Sequence, residues 1–368
     1  MSANSLGEIE RATRGKQTPL LVIDKRAIQD RFGELQKAIG NARIYYAVKT
    51  NPHWRVIALL HELGAHFEIS SEEELKILQR RGVPAEKIIA SNPVKTEASL
   101  KAAKKAGVTF FAFDSHTEIE KLSRFAPNSS VYVRLVVSNE GSQWPLTRKF
   151  GVEVEDAVDL LHEAQVKGLE PCGLTFHVGS QCTTPETWVK AIEKAKVVWD
   201  LARDRGIKLR MLNIGGGFPI KYGEDSVSIA DTARPVRDTI DRIFPRDTEV
   251  LLEPGRVLVG EAGTLVTTVV GKARRNEENW LYLDVGVFNG LMESIGGIRY
   301  PVASTKNGSR ERYVLAGPSC DSLDIIQDDT PLPDLDVGDR VYFLSAGAYT
   351  TAYASRFDGL AIPKTTMV

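Results

Sequence analysis

Short apolar runs alternate with amphipathic stretches through the first two thirds of the chain, and this alternation constrains the fold more than any other feature. Eight of the runs are typical of strands: Ile44–Lys49, His66–Ser70, Lys87–Ser91, Phe110–Asp114, Val131–Val137, Cys172–Val178, Arg210–Ile214 and Glu249–Glu253. The stretches between most of them have helical periodicity, and several begin at a capping residue and end at glycine. Eight strand-then-helix units over roughly 220 residues match a closed (β/α)8 barrel in number and size.

An open, doubly wound sheet would show the same alternation, and the polar residues near the strand ends distinguish the two folds. Five strand ends carry such groups: Lys49, Arg134, His177, Gly215–Gly217 and Glu253–Arg256. An open sheet binds ligands mainly at one crevice, whereas a barrel collects groups from many strand ends. We therefore predict a barrel with one active site at the C-terminal ends of its strands.

The last third of the chain has a different pattern, with the two-residue alternation and turns of antiparallel strands. Strands are predicted at Thr264–Lys272, Trp280–Val285, Arg312–Ala316 and Arg340–Ser345. We expect the N-terminal run Pro19–Ile23 to join this sheet, and the Asp- and Pro-rich segment Gln327–Asp339 to form an exposed loop. The predicted organisation is a barrel domain over residues 25–262 and an antiparallel β domain over residues 1–24 and 263–368.

The charge balance and the cysteines exclude several classes of function. Lys+Arg 47 against Asp+Glu 48 gives a net charge of -1, which provides no electrostatic basis for binding nucleic acid or an anionic membrane. The N-terminal segment lacks the apolar core of a secretory signal, and no apolar run is long enough to span a membrane. Cys172, Cys182 and Cys320 lack the spacing of a metal site or a disulfide framework. We expect a reduced, cytoplasmic enzyme without a bound metal.

The triplet Gly215-Gly216-Gly217 follows the seventh predicted strand and is a candidate phosphate site. Consecutive glycines allow a turn whose N–H groups point at an anion. A plain tight turn is the alternative, but barrels often bind phosphate after this strand. Arg256, just past the eighth strand, would supply a positively charged fork for the same phosphate, with a surface ion pair as its alternative.

Glu253 and Lys49 complete a set of groups that suits one cofactor. Glu253 ends an apolar strand, and a carboxylate buried there needs a cationic partner such as a protonated pyridine nitrogen, or more plainly a nearby arginine. Lys49 is either a solvated strand end or an amine that traps a carbonyl, because desolvation lowers the pKa of a lysine. Amine, phosphate turn and carboxylate together predict pyridoxal 5'-phosphate.

These residues lie in six ordered motifs: Tyr46-Ala47-Val48-Lys49, Phe176-His177-Val178-Gly179-Ser180, Gly215-Gly216-Gly217-Phe218-Pro219, Glu253-Pro254-Gly255-Arg256, Gly317-Pro318-Ser319-Cys320-Asp321 and Gly347-Ala348-Tyr349-Thr350. The motifs resemble those of the ornithine decarboxylases, within the ornithine, lysine, diaminopimelate and arginine decarboxylase family of the alanine-racemase-like pyridoxal phosphate fold. The resemblance extends from about residue 19 to the C-terminus.

The resemblance implies a role for each matched residue. Lys49 would carry the cofactor, His177 would stack on its ring, and Glu253 would keep the ring nitrogen protonated. Arg134 would fix the cofactor near its phenolic side. The phosphate would be bound by Ser180, Gly215, Gly216, Gly217, Gly255, Arg256 and Tyr349.

The resemblance also implies a head-to-tail homodimer with active sites shared across the interface, where Lys149 would lie. Cys320 and Asp321 would come from the partner subunit. Cys320 would return a proton to the substrate after CO2 is lost, although a packed apolar thiol is its commoner role. Asp321 would pair with the distal ammonium of the substrate. The implied reaction is decarboxylation of L-ornithine to putrescine in polyamine synthesis.

One departure from the family pattern concerns the substrate. Ornithine decarboxylases usually carry Asn-Asp-Gly on an early strand of the β domain, and that aspartate also binds the distal amine. Here the stretch is Asp284-Val285-Gly286, and alternation along the strand turns Asp284 to the opposite face. Lysine, or both lysine and ornithine, therefore becomes an alternative, because one methylene discriminates by only about 1–3 kcal/mol.

Other departures weigh less. Glu68 stands where these enzymes usually have aspartate on the second strand. Asp321 argues against diaminopimelate, whose enzymes typically have glutamate there. An amino-acid racemase is a weaker alternative, because the Cys320-Asp321 motif offers no tyrosine base. A non-catalytic homologue is weaker still, because the cofactor-binding residues are intact.

Overall fold

The computed structural model describes residues 6–146, 148–223 and 227–368. Its strands are β1 (Leu20–Ile23), β2 (Arg43–Ala47), β3 (His66–Ile69), β4 (Ile88–Ala90), β5 (Phe110–Phe113), β6 (Ser130–Arg134), β7 (Ser142–Trp144), β8 (Glu170–Thr175), β9 (Ser180–Cys182), β10 (Met211–Asn213), β11 (Glu249–Leu252), β12 (Gly263–Arg275), β13 (Glu278–Leu283), β14 (Val302–Ala303), β15 (Arg310–Ala316), β16 (Ile325–Pro333), β17 (Arg340–Phe343) and β18 (Lys364–Met367).

The α-helices are α1 (Leu6–Thr13), α2 (Lys25–Ile39), α3 (Trp54–Glu62), α4 (Glu72–Gln79), α5 (Glu97–Lys105), α6 (His116–Phe125), α7 (Val154–Val166), α8 (Pro185–Asp204), α9 (Ile229–Ile243) and α10 (Arg256–Val259). Short 3₁₀ helices cover Val48–Thr50, Ala85–Lys87, Met292–Gly296 and Phe357–Gly359. Among the residues described, no helix combines the length and the apolar character that a membrane span requires.

Eight parallel strands close into a barrel in the order β2, β3, β4, β5, β6, β8, β10 and β11, and β11 pairs back to β2. Each of the eight predicted runs overlaps one of these strands, so the predicted (β/α)8 barrel is confirmed. Every predicted run extends past the end of its strand. Lys49, for example, lies in the 3₁₀ helix after β2. Its polar group thus lies just beyond the last hydrogen-bonded residues of the strand.

An apolar layer fills the lower part of the barrel, with one residue from each of seven strands: Tyr45, Ile89, Ala112, Tyr132, Cys172, Met211 and Leu251. Side chains two residues further along a strand point to the same face. Those positions are polar on five strands: Ser91, Asp114, Arg134, Asn213 and Glu253. The pleat therefore places a polar layer directly above an apolar one.

The second sheet is mixed but mostly antiparallel. Its order is β14, β17, β12, β13, β15 and β16, and β1 pairs with both β12 and β18. Two of its pairs, β1 with β18 and β13 with β15, are parallel. The predicted fold class of a barrel followed by an antiparallel β domain is confirmed, and β1 is the expected N-terminal strand of that sheet.

The segment Gln327–Asp339 was wrongly predicted to be an exposed loop. Most of it belongs to β16, which pairs antiparallel with β15 and places Pro331 and Pro333 opposite Arg312 and Arg310. Prolines are usually loop signals, but β16 stands at the end of the sheet order. An edge strand tolerates prolines whose missing N–H faces away from the neighbouring strand.

The chain forms two compact units. The barrel unit comprises Phe32–Pro219 and Val227–Gly255, and the sheet unit comprises Met1–Arg31, Ile220–Ser226 and Arg256–Val368. The predicted domain limits at residues 24/25 and 262/263 stay a prediction. Of the predicted site residues, those up to Gly255 lie in the barrel unit and the others in the sheet unit.

Candidate active site

Lys49 is held at the mouth of the barrel by Glu68. The Lys49 Nζ lies 2.6 Å from Oε2 of Glu68, which β3 places at the level of Ala47. Glu68 is almost fully buried, whereas 47% of the Lys49 side chain is exposed. The hydroxyl of Ser70 donates to the other oxygen of Glu68 at 3.2 Å. The longer carboxylate at this position therefore reaches the lysine and fixes its amine.

Glu253 accepts hydrogen bonds from two neighbouring strands. Asn213 Nδ2 donates to it at 2.6 Å, and Ser91 donates through its hydroxyl, which lies 2.5 Å from the hydroxyl of Tyr132. Burial raises the pKa of Glu253, and the negative charge of Glu68 adds to the rise. Among the described residues no arginine forms an ion pair with Glu253. The carboxylate would thus be stabilised by a cation bound above it.

His177 is a neutral ring in this site. Burial, with the nearby charges of Arg134 and Lys49, lowers the pKa of His177 to about 3. Its Nδ1 accepts the N–H of Gly179 at 3.0 Å. A neutral imidazole that accepts at Nδ1 carries its proton on Nε2. The ring therefore presents a flat, uncharged face near neutral pH.

The glycine triplet packs its backbone against the turn after β8. Gly215 and Gly217 have positive φ angles of 67° and 97°. A Cβ at Gly215 would lie 2.3 Å from the carbonyl oxygen of Phe176, and one at Gly217 would lie 2.3 Å from that of Gly179. Both conformation and contact therefore require glycine.

The backbone amides of the triplet are used unequally. The N–H of Gly215 donates to Oδ1 of Asn213 at 3.0 Å, and the carbonyl of Gly217 accepts from the N–H of Cys182 at 2.9 Å. In the described part of the chain, the N–H groups of Gly216 and Gly217 have no acceptor. Successive amides of this kind form an anion-binding concavity.

The other predicted barrel residues lie at strand ends. Arg134 ends β6, and its guanidinium lies 5.3 Å from the centre of the Phe150 ring. Ser180 begins β9, where it is half-buried. Gly255 approaches the segment of Lys49 so closely that a Cβ would lie 1.9 Å from the hydroxyl oxygen of Thr50.

In the sheet unit, Arg256 forms a buried ion pair with Glu293, not a surface ion pair. Its Nη1 and Nη2 donate to Glu293 at 2.8 and 2.5 Å, and Nη1 also donates to the Tyr222 hydroxyl at 2.6 Å. Only about 3–4% of the Arg256 and Glu293 side chains is exposed. The guanidinium also lies 5.0 Å from the ring centre of Tyr349. Arg256 is therefore held in one orientation.

Cys320 and Asp321 follow β15 in the sheet unit. Cys320 is exposed, so the packed-thiol alternative does not hold in the described chain. Its Sγ lies 3.4 Å from Oδ2 of Asp358, and this hydrogen bond raises the pKa of the thiol. Asp321 accepts the N–H of Leu323 at 2.9 Å and is half-buried. The thiol is thus kept protonated beside two carboxylates.

Val285 is a fully buried apolar side chain that packs against Gly290. Its neighbour Asp284 is bonded elsewhere, to the hydroxyl of Thr18 and the N–H of Thr268. The expected opposite orientation of Asp284 is therefore present, and neither residue offers a free carboxylate beside Gly286.

Sequence reasoning missed four residues that organise these groups. Ser91 and Asn213 could have been found, because each stands two residues beyond a buried apolar residue on a barrel strand. Glu293 and Asp358 gave no such signal. They reach Arg256 and Cys320 across 37 and 38 residues of sequence, respectively.

The barrel unit supplies an amine, a buried carboxylate that a cation would stabilise, a neutral ring and a turn with two available amides. These fit the aldehyde, pyridine nitrogen, ring face and phosphate of pyridoxal phosphate. A (β/α)8 barrel with this set of groups defines a class of pyridoxal phosphate enzymes.

Comparison with known proteins identifies the family. The model for "Pyridoxal-dependent decarboxylase, pyridoxal binding domain" matches residues 25–260. A lysine/ornithine decarboxylase of Selenomonas ruminantium is 37% identical over 98% of this chain and 92% of its own. An ornithine decarboxylase of Schizosaccharomyces pombe is 33% identical over 97% and 85%.

Solved structures agree. The lysine/ornithine decarboxylase of Vibrio vulnificus, complexed with putrescine or with cadaverine, has TM-scores of 0.92 and 0.93 at 33% identity, covering 100% of this chain and 99% of that one. The chain belongs to the pyridoxal-dependent decarboxylase family. It is a pyridoxal-phosphate-dependent amino-acid decarboxylase, which confirms the predicted family, enzyme class and cofactor.

Proposed function

We propose that this decarboxylase acts on both L-ornithine and L-lysine, releasing CO2 and forming putrescine and cadaverine. The observation that carries the proposal is the buried, apolar Val285, which occupies the place where ornithine decarboxylases usually have a second carboxylate. Without that carboxylate, the distal ammonium would be recognised mainly by Asp321. Relatives named lysine/ornithine decarboxylases lend support.

Pyridoxal phosphate supplies an electron sink for the pair of electrons that remains when CO2 leaves Cα. Lys49 would bind the cofactor through the amine that Glu68 positions. Glu253 would hold a proton at the ring nitrogen, since a carboxylate buried without an ion-pair partner is stabilised by a cation beside it. His177 would place its neutral face against the ring, and Arg134 would fix the phenolic side.

The phosphate would be bound by backbone amides and fixed side chains. The N–H groups of Gly216 and Gly217 are available for this in the described chain. Arg256, which Glu293 orients, would add a positive charge. The remaining ligands proposed are Ser180, Gly215, Gly255 and Tyr349.

The substrate end of the reaction would depend on Cys320 and Asp321. The thiol would transfer its proton to Cα after CO2 leaves, and its raised pKa keeps that proton in place beforehand. Asp321 would attract the distal ammonium. We propose that both come from the partner subunit of a head-to-tail homodimer with Lys149 at the interface. The diamine products suit polyamine synthesis.

The experiment is CO2 release from L-ornithine, L-lysine, L-arginine and meso-diaminopimelate, at matched concentrations with added pyridoxal phosphate. Ornithine and lysine should differ in kcat/KM by about 10–100-fold at most, because a single methylene in the pocket is all that separates them. Arginine and diaminopimelate should react much more slowly. Release from neither ornithine nor lysine would contradict the proposal.

The variant Asp321→Asn should raise KM for ornithine and lysine alike, by at least about tenfold, because both lose the same charged partner. Asp329→Asn is the matched control, since Asp329 is an exposed carboxylate of the same unit that pairs only with Arg312 in the described chain. Chiral analysis of unreacted substrate tests the racemase alternative, which would require D-amino acid to accumulate.

A further inference from the structure

Asp358 contacts Cys320 at two points, the backbone N–H and the thiol. One carboxylate oxygen, Oδ2, accepts the backbone N–H of Cys320 at 3.3 Å and the thiol at 3.4 Å. Both residues are exposed in the described chain. A surface carboxylate that takes two hydrogen bonds from one residue fixes both the backbone and the side chain of that residue.

The position of Asp358 is imposed by its own turn and not by Cys320. Asp358 has a φ of 54°, a left-handed conformation that non-glycine residues seldom adopt. Ser355 donates through its N–H and its hydroxyl to the carbonyl of Phe288, at 2.8 and 3.2 Å. The rings of Phe288 and Phe357 lie 4.8 Å apart. The turn is therefore attached to Phe288 through the hydrogen bonds from Ser355 and through the ring contact of Phe357.

The loop that carries Cys320 is attached to the same place. Asp324, which is buried, accepts the N–H of Ser319 at 3.0 Å through one oxygen and that of Val287 at 2.8 Å through the other. Val287 directly precedes Phe288. The loop of Cys320 and the turn of Asp358 are thus attached separately to the adjacent residues Val287 and Phe288, and this common support brings the thiol and the carboxylate together.

We propose that Asp358 is a positioning residue for Cys320, holding the thiol protonated and aimed for transfer of its proton to Cα. The proposal rests on the proposed role of Cys320 in decarboxylation. In the transfer the S–H bond breaks, a C–H bond forms at Cα, and the thiolate regains a proton from water.

The charges around the thiol support this role. Asp358, from its own turn, and Asp321, from the loop of Cys320, are the charged groups that act on Cys320 among the described residues. The hydrogen bond to Asp358 is the larger cause of the raised pKa of the thiol. A carboxylate at this distance opposes the thiolate, so reprotonation after each turnover is favoured.

Two variants separate charge from position. Asp358→Asn keeps an acceptor oxygen but removes the charge. It should speed alkylation of Cys320 by iodoacetamide in the holoenzyme at least about threefold near neutral pH, because the thiolate is the reacting form. The rate–pH curve should move to lower pH. Cys320→Ser supplies the background rate, since Cys172 and Cys182 are buried.

Asp358→Ala removes the acceptor as well. Its kcat should fall about tenfold while KM changes less than about twofold, because positioning of the proton donor acts after the substrate is bound. Asp329→Asn is the matched control and should resemble the unmodified enzyme in both measurements.

Three results would overturn the proposal: an unchanged alkylation profile in Asp358→Asn, a raised KM with unchanged kcat in Asp358→Ala, or an equal effect of Asp329→Asn. A raised KM would mean that Asp358 contacts the substrate instead. Failure of the proposed function looks different, because the unmodified enzyme would then release no CO2 from ornithine or lysine while the alkylation profiles still report the thiol–carboxylate contact.

Discussion

The barrel unit and the sheet unit position their polar groups by different means. In the barrel, Ser91, Asn213 and Glu253 each stand two residues beyond a buried apolar residue, so the pleat of the strand aims them. In the sheet unit, Arg256 and Cys320 are held by carboxylates from distant segments. Backbone geometry fixes the first set, and side-chain contacts fix the second. Substitutions in the two units should therefore fail in different ways.

The largest expected effect is the loss of activity in Lys49→Ala. CO2 release should fall at least about a thousandfold, because Lys49 supplies the amine that we propose binds the cofactor covalently. The visible absorption of the bound cofactor should change with it. Lys101→Ala, on the exposed face of α5, is the control. If the Lys49→Ala variant keeps an activity within about tenfold of that of the unmodified enzyme, Lys49 takes no part in the reaction.

Glu293→Gln tests the side-chain mode of positioning in the sheet unit. It should lower the free energy of unfolding by about 4 kcal/mol, because it leaves the buried charge of Arg256 uncompensated. Urea unfolding measures the change. The exposed pair of Arg312 and Asp329 is the contrast, and Asp329→Asn should lower that energy by less than about 1 kcal/mol. Equal costs would mean that burial of the Arg256 pair does not matter.

Gly215→Ala tests the backbone mode in the barrel. It should cost about 3 kcal/mol of unfolding free energy, from both the positive φ and the 2.3 Å contact with the Phe176 carbonyl. Gly206 has a φ of 77° but open space around its Cβ direction. Gly206→Ala therefore isolates the conformational part, at about 1 kcal/mol. If both variants cost the same, the close approach adds nothing.

The smallest effect concerns pH. His177 has a pKa of about 3 in the folded chain and of about 6.5 in the unfolded chain. Below about pH 6.5 the unfolded chain therefore binds one more proton, and the free energy of unfolding decreases as the pH is lowered. Between about pH 7 and about pH 5 this loss is at most about 2 kcal/mol for the apo-enzyme. His177→Phe should remove that part of the slope in urea titrations. His66, whose pKa burial lowers to about 4, adds a slope common to both proteins. An unchanged slope would mean that His177 is accessible to protonation.

The contrast also explains what the sequence could reveal. The eight barrel strands were predictable because each is a short apolar run, and Lys49, His177 and Glu253 were predictable because they interrupt such runs at the end. The strand ends were placed too far along the sequence, because the polar residue that follows each strand was counted as part of the apolar run. Lys49 was included in this way, although β2 ends at Ala47.

Residues fixed by side-chain contacts could not be predicted in this way. No local sequence pattern predicts that Glu293 binds Arg256 or that Asp358 binds Cys320, since each contact depends on how separate loops fold. β16 was missed for a related reason. Whether Pro331 ends a strand or lies on an edge depends on the order of strands in the sheet, which the sequence does not display.

The hydroxyl contact from Tyr132 through Ser91 to Glu253 connects the apolar layer of the barrel to the polar layer above it. Exchange of Tyr132 for phenylalanine would preserve the volume of the barrel interior while removing a hydroxyl that lies against Ser91. Substitutions in the apolar layer of the barrel can therefore alter the hydrogen bonding of Glu253 as well as the packing of the core.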